Sequence, residues 1–152
     1  VSALVRCQDA ITAIIAGLDL VGLTVTAQKS ANVLITPALP AAIISITGFN
    51  DSPSSRPFAF TKQVLTGLRV AVAIMDHSSS LAQDADKYMV WREAMELACH
   101  VPTLSGVPEL FRTAIEGGER IEDEVKQKTG TPKMFRFVSG FVVRCDILRI
   151  RG

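Results

Sequence analysis

The chain has 152 residues, 48% hydrophobic and 20% charged, with 16 basic and 15 acidic side chains for a net charge of +1. A soluble domain averages about 25% charged, so a mean hydropathy of +0.30 leaves apolar surface for which a neighbouring subunit is the expected sink. The balanced charge argues against nucleic acid as a dedicated partner, the lack of a run of roughly 18 apolar residues against a bilayer span, and the length for a single domain over 1–152.

Leu4, Val5, Ile11, Ile14, Ile15 and Leu18 recur at helical intervals, which predicts an N-terminal amphipathic helix and not a signal peptide, since Gln8 and Asp9 interrupt the apolar stretch. Ser2 is its expected N-cap, and Gly17 or Gly22 its end. An extended piece is expected near Thr24–Gln28. Two β-branched runs follow, Asn32–Thr36 and Ala41–Thr47, with Pro37 and Pro40 between them. Proline donates nothing to a ladder, so both runs are expected at a sheet margin or crossing between layers. Phe49 to Pro57 (FNDSPSSRP) reads as a loop dense in turn formers.

The clearest strand is Val64 to Met75, the expected spine of the sheet. Val64, Thr66, Leu68, Val70, Val72 and Ile74 form one almost wholly apolar face, and Leu65, Gly67, Arg69, Ala71, Ala73 and Met75 form the other. Asp76-His77-Ser78-Ser79-Ser80 breaks the alternation. A helix is then expected from about Leu81 to Cys99, with Ala85, Tyr88, Arg92, Met95 and Cys99 on one side, Trp91 beside them, and Pro102 beyond its end. Val107–Glu116 fits helix or strand, and strand is preferred. Gly117–Lys133 is a polar, mixed-charge insertion expected to be an extended loop. Phe135 to Arg149 is a second long strand, which would pair with Val107–Glu116 as a hairpin carrying that loop at its tip. The fold class expected is α/β in the α+β sense: a mainly antiparallel sheet flanked by an N-terminal and a central helix, closed by a long C-terminal hairpin.

Chemistry-bearing groups are sparse. Asp76-His77 at a strand end is the best acid–base candidate, although an Asp ahead of three serines is also what a helix start uses. Cys99 and His100 are adjacent on a helix and do not face each other; a buried thiol and a His at the helix C-terminus account for both. Cys7, Cys99 and Cys145 lack CxxC spacing and read as free thiols in a reducing compartment. With two histidines and no helical ligand spacing, no metal site is expected, and Gly117-Gly118 lacks the context of a phosphate loop. Arg144, Arg149 and Arg151 read as charges that protect an edge strand.

Three stretches, PALPAAIISITGF at Pro37–Phe49, VLTGLRVAVAIM at Val64–Met75, and VPELFRTAIEGGERI together with FVSGFVVRCDILRI, resemble the tailed-bacteriophage tail terminators and the related neck, tail-completion and head–tail joining proteins. That resemblance implies a structural virion protein of the tail or neck, assembled in the host cytoplasm as a homo-oligomeric six-subunit ring. Its partners would be the tail tube protein and the head–tail connector or stopper protein, with DNA passing through the lumen without specific binding, no membrane, no cofactor and no catalytic residues. The same architecture serves a head-completion or stopper layer. The expected contacts are Asn50, Asp51 and Arg56 in the first loop and Glu119, Arg120, Glu122, Asp123, Lys126 and Lys128 in the charged insertion. From a different class, a small-ligand or enzyme domain would use Asp76 and His77.

Overall fold

The computed structural model describes residues 2–28, 39–53, 62–77, 84–116, 124–126 and 134–151. Its elements are α1 (Ala3–Ala16), β1 (Thr24–Gln28), β2 (Ala41–Pro53), β3 (Lys62–His77), α2 (Ala85–Cys99), β4 (Leu110–Glu116), β5 (Glu124–Lys126) and β6 (Met134–Arg151). The strands form one sheet in the order β1-β2-β3-β6-β4, with β5 also pairing β6. Among the described strands, β1 and β2 run parallel and the other pairings are antiparallel. The fold is α+β, as the alternation and helical periodicity predict, with β3 in the middle.

Both helices lie on one face of the sheet, because each has one apolar stripe to bury. Cys7, Ile11 and Ile15 of α1 and Tyr88, Trp91, Met95 and Cys99 of α2 pack on Leu68, Val70, Val72 and Ile74 of β3 and on Phe141, Val143, Cys145 and Ile147 of β6. These are the strand faces that the alternation marks as apolar. Gln8 is buried within the same layer, where its side-chain amide donates to the Ile44 carbonyl of β2 at 2.9 Å. Ser2 caps α1 through its hydroxyl, which accepts from Leu4 N–H, and Gly17 is the C-cap. On the face turned away from the helices, Ala41, Ile43 and Met75 form a small second cluster with Leu39.

Several expectations are corrected. Ala41–Ser45 is not at a margin: it pairs with β1 on one side and β3 on the other. The Phe49–Pro57 loop is strand through Pro53, because a bulge between Ile46 and Gly48 shifts the register and lets pairing with β3 continue to Pro53↔Val64. Beyond Ser45, among the described residues, this half of β2 has β3 as its one neighbour, and turn-forming residues are tolerated there. Residues 54–57 and the Asn32–Thr36 run lie outside the described residues.

The second helix begins at Ala85 with Asp84 as its N-cap, so Asp76 does not cap it. Val107–Glu116 is strand from Leu110, and β4 pairs antiparallel with β6 as the hairpin predicts. The insertion is not wholly loop: its Glu124–Lys126 pairs with Met134–Arg136 of β6. Up to Ile147, β6 lies between β3 and β4, which removes the edge-guarding role expected of Arg144; Arg149 and Arg151 lie past the β4 ladder, and among the described residues they pair with β3 alone.

Candidate functional site

The charged residues that β3, β4 and β6 turn away from the helices form two groups of contacts beside one cavity. Asp146 is only 2% exposed. Arg112, its cross-strand neighbour on β4, donates to its Oδ2 from Nε at 2.8 Å and from Nη2 at 2.7 Å, a forked contact that suits a guanidinium and a carboxylate. Arg144, two residues before it on β6, donates from Nε to Oδ1 at 3.2 Å. Arg69 of β3 donates from Nη2 to Glu116 at the end of β4. Between these groups lies a cavity of about 300 Å³ lined by Asn50, Leu65, Gly67, Arg69, Glu116, Arg144 and Asp146.

A second cluster lies on the helix-side face at the same end of the sheet. Asp51 accepts from the Thr66 hydroxyl at 2.6 Å and from Arg149 Nη2 at 2.9 Å, while Arg149 Nε donates to the Thr66 hydroxyl at 2.9 Å. The expected contact pair is thus split. Asn50 pairs with Gly67 and lines the cavity on one face, and Asp51 pairs with Thr66 and is engaged on the other. Both are strand residues and not loop residues. Lys126 sits opposite Met134 in the β5–β6 ladder. Arg56, Glu119, Arg120, Glu122, Asp123 and Lys128 lie outside the described residues.

Asp76 and His77 do not line this cavity. Asp76 is 4% exposed and accepts from the Tyr88 hydroxyl of α2 and, at 2.7 Å, from the His77 backbone N–H. It ties the end of β3 to α2. All three cysteines are free and buried. Burial pushes the Cys99 thiol up to about 11, and contact with the Cys7 thiol, with burial, raises that of Cys145. Thiols held protonated at neutral pH are poor nucleophiles. On the far side of α1, Arg6 donates to Glu109 at 2.8 and 3.0 Å and to the Gly106 carbonyl at 2.9 Å. Gly106 has φ +79°, the left-handed region that glycine adopts freely. No group of three or more His, Cys, Asp or Glu among the described residues could hold a metal ion. No described helix is long and apolar enough to cross a membrane.

Sequence reading missed the Arg69–Glu116 and Arg112–Asp146–Arg144 contacts. Their signal was present but faint: Arg69 falls on the less apolar face of an otherwise apolar strand, and Arg144 and Asp146 share one face at i, i+2. No protein-family model matches the chain, and no curated protein matches its sequence.

Proposed function

We propose that this chain is a structural virion protein, a tail terminator that closes into a six-subunit ring, caps the tail tube and joins it to the head connector. The observation that carries the reading is the apolar surface of α2. Met89, Val90 and Leu97 are 54%, 63% and 76% exposed, and the seven-residue spacing sets Val90 and Leu97 on one face opposite the buried stripe, with Met89 about a quarter turn round the helix from them. Phe111 on β4 is 59% exposed as well. Fully burying one such side chain is worth about 1.5–3 kcal/mol, so a head-to-tail contact repeated around a closed ring would cover them favourably.

The resemblance supplies the rest of the reading. The ring binds the last layer of the tube, removes its elongation surface and offers a new surface to the connector. A net charge of +1 suits a lumen that passes DNA without gripping it.

Light scattering and negative-stain electron microscopy of the purified chain test the proposal. A particle six times the mass of the 16.4 kDa chain with an open centre is expected. Leu97→Lys should disperse it while leaving the melting of the subunit in place, because that side chain is three-quarters exposed. A monomer at every concentration tried, unchanged by Leu97→Lys, overturns the ring.

A further inference from the structure

Arg69 of β3 and Arg144 of β6 are direct cross-strand partners. Two like charges in that relation repel and weaken a sheet, so their presence calls for anions around them. Among the described residues the anions fall short. Arg69, Arg112 and Arg144 face Glu116 and Asp146, three guanidiniums against two carboxylates. Asp146 is already held by the fork from Arg112 at 2.7 and 2.8 Å, and its contact with Arg144 is the longer one at 3.2 Å. Arg144 is therefore the under-compensated charge, and Arg69 is its nearest neighbour across the ladder.

The space beside them is shaped by a missing side chain. A Cβ on Gly67 would lie 3.6 Å from Arg144 Nε and 3.7 Å from its Nη2, and 3.6 Å from Asp146 Oδ1. The Arg144 guanidinium thus lies over Gly67 at the floor of the cavity of about 300 Å³. Leu65 adds an apolar wall and Asn50 a neutral amide. Each guanidinium carries five N–H donors, and the contacts named engage one on Arg69 and one on Arg144. Both side chains remain about half exposed, at 54% and 46%.

We propose that this cavity is a carboxylate-binding site that takes one acidic side chain of a docking protein partner between Arg69 and Arg144. The single surplus positive charge matches one carboxylate. A nucleic-acid strand fits poorly: its affinity comes from neutralising several phosphates, and its flanking phosphates would meet Glu116 and Asp146. The site stands on the geometry of one chain and does not depend on the ring.

The test uses the ¹⁵N-labelled full chain and follows the arginine Nε–H signals at constant ionic strength. The probe is N-acetylglutamate α-amide, which presents one side-chain carboxylate, with its glutamine counterpart as the neutral control. The carboxylate probe should shift the Arg69 and Arg144 signals saturably and the glutamine probe should not. Losing one charge-assisted hydrogen bond should weaken binding about tenfold in Arg69→Gln or Arg144→Gln. If Arg144→Gln lowers the melting temperature by releasing Asp146, Arg69→Gln still decides, because its partner Glu116 is one-third exposed. No saturable shift, equal binding by Arg69→Gln, or tighter binding of an oligothymidylate than of the carboxylate probe overturns the proposal.

Discussion

Asp76 shows how a residue's role depends on a partner that its neighbours in the chain do not reveal. Beside three serines it has the look of a helix cap, yet the helix starts later and Asp76 instead accepts from Tyr88, twelve residues on. Both groups are nearly inaccessible to solvent, at 4% and 1%. Tyr88→Phe removes one donor from a buried carboxylate, which should cost about 1–3 kcal/mol. Urea unfolding checks this, and an unchanged midpoint would mean the bond contributes nothing. Arg6 and Glu109 interact at the surface, where the hydrogen bonds from Arg6 hold the Glu109 carboxyl below the usual carboxylate range. A depressed carboxyl stabilises the fold above the unfolded value of about 4.3, and this support is lost as pH falls through the folded value. The melting-temperature gap between the wild type and Arg6→Gln should therefore be steady near neutrality and close in acid. A gap that is flat across the whole range would assign the effect of Arg6 to packing or to its bond with the Gly106 carbonyl.

At the scale of elements, the two long strands were the most legible because burial on one side repeats every second residue over most of their length. The β3 and β6 apolar faces are buried under the helices, and the exceptions to the alternation are Ala73 and Met75, buried on the opposite face of β3, and Val138, which joins the core at the bulge where Ile74↔Ser139 gives way to Met75↔Phe137. Bulges were illegible because an unpaired residue leaves no compositional mark, and the one between Ile46 and Gly48 is what carries β2 into a segment of turn formers. Close approach of strands is a further property that only pairing reveals. A Cβ on Gly140 would lie 3.0 Å from the Val72 carbonyl oxygen and 3.4 Å from Ala73 Cα, both backbone atoms. Gly140→Ala should accordingly destabilise by about 1–3 kcal/mol through forced separation of β3 and β6. Gly48, with nothing within 4 Å of its Cβ position, should accept Ala with little loss. Chemical denaturation of the two variants compares them directly, and equal stability would show that the ladder yields at Gly140 without cost.

At the scale of the molecule, both helices cover one face of the sheet and the charged cavity opens on the other. The apolar stripe of α2 and the arginine-lined cavity thus belong to different surfaces, so a ring contact through the first and a polar contact through the second need not compete. The excess hydropathy of the chain has a location in the exposed Met89, Val90 and Leu97. In the proposed ring these side chains would face a neighbouring copy, since the Tyr88–Trp91–Met95–Cys99 side of α2 is already buried against the sheet.

The sequence by itself determined α1 with its Ser2 cap, the strands β3 and β6 with the faces they turn to the helices, the helix α2 and the α+β class, because periodicity, capping and alternation are local properties that a chain carries in one dimension. Tertiary structure decided the strand order, the parallel β1–β2 pairing, the placement of Asn50 and Asp51 on opposite faces, and the meeting of Arg69, Arg112, Arg144, Glu116 and Asp146. Those residues come from three strands spread from position 69 to 146. Charges so far apart become neighbours only when backbone hydrogen bonding sets the register between strands, and one bulge is enough to change which of them meet.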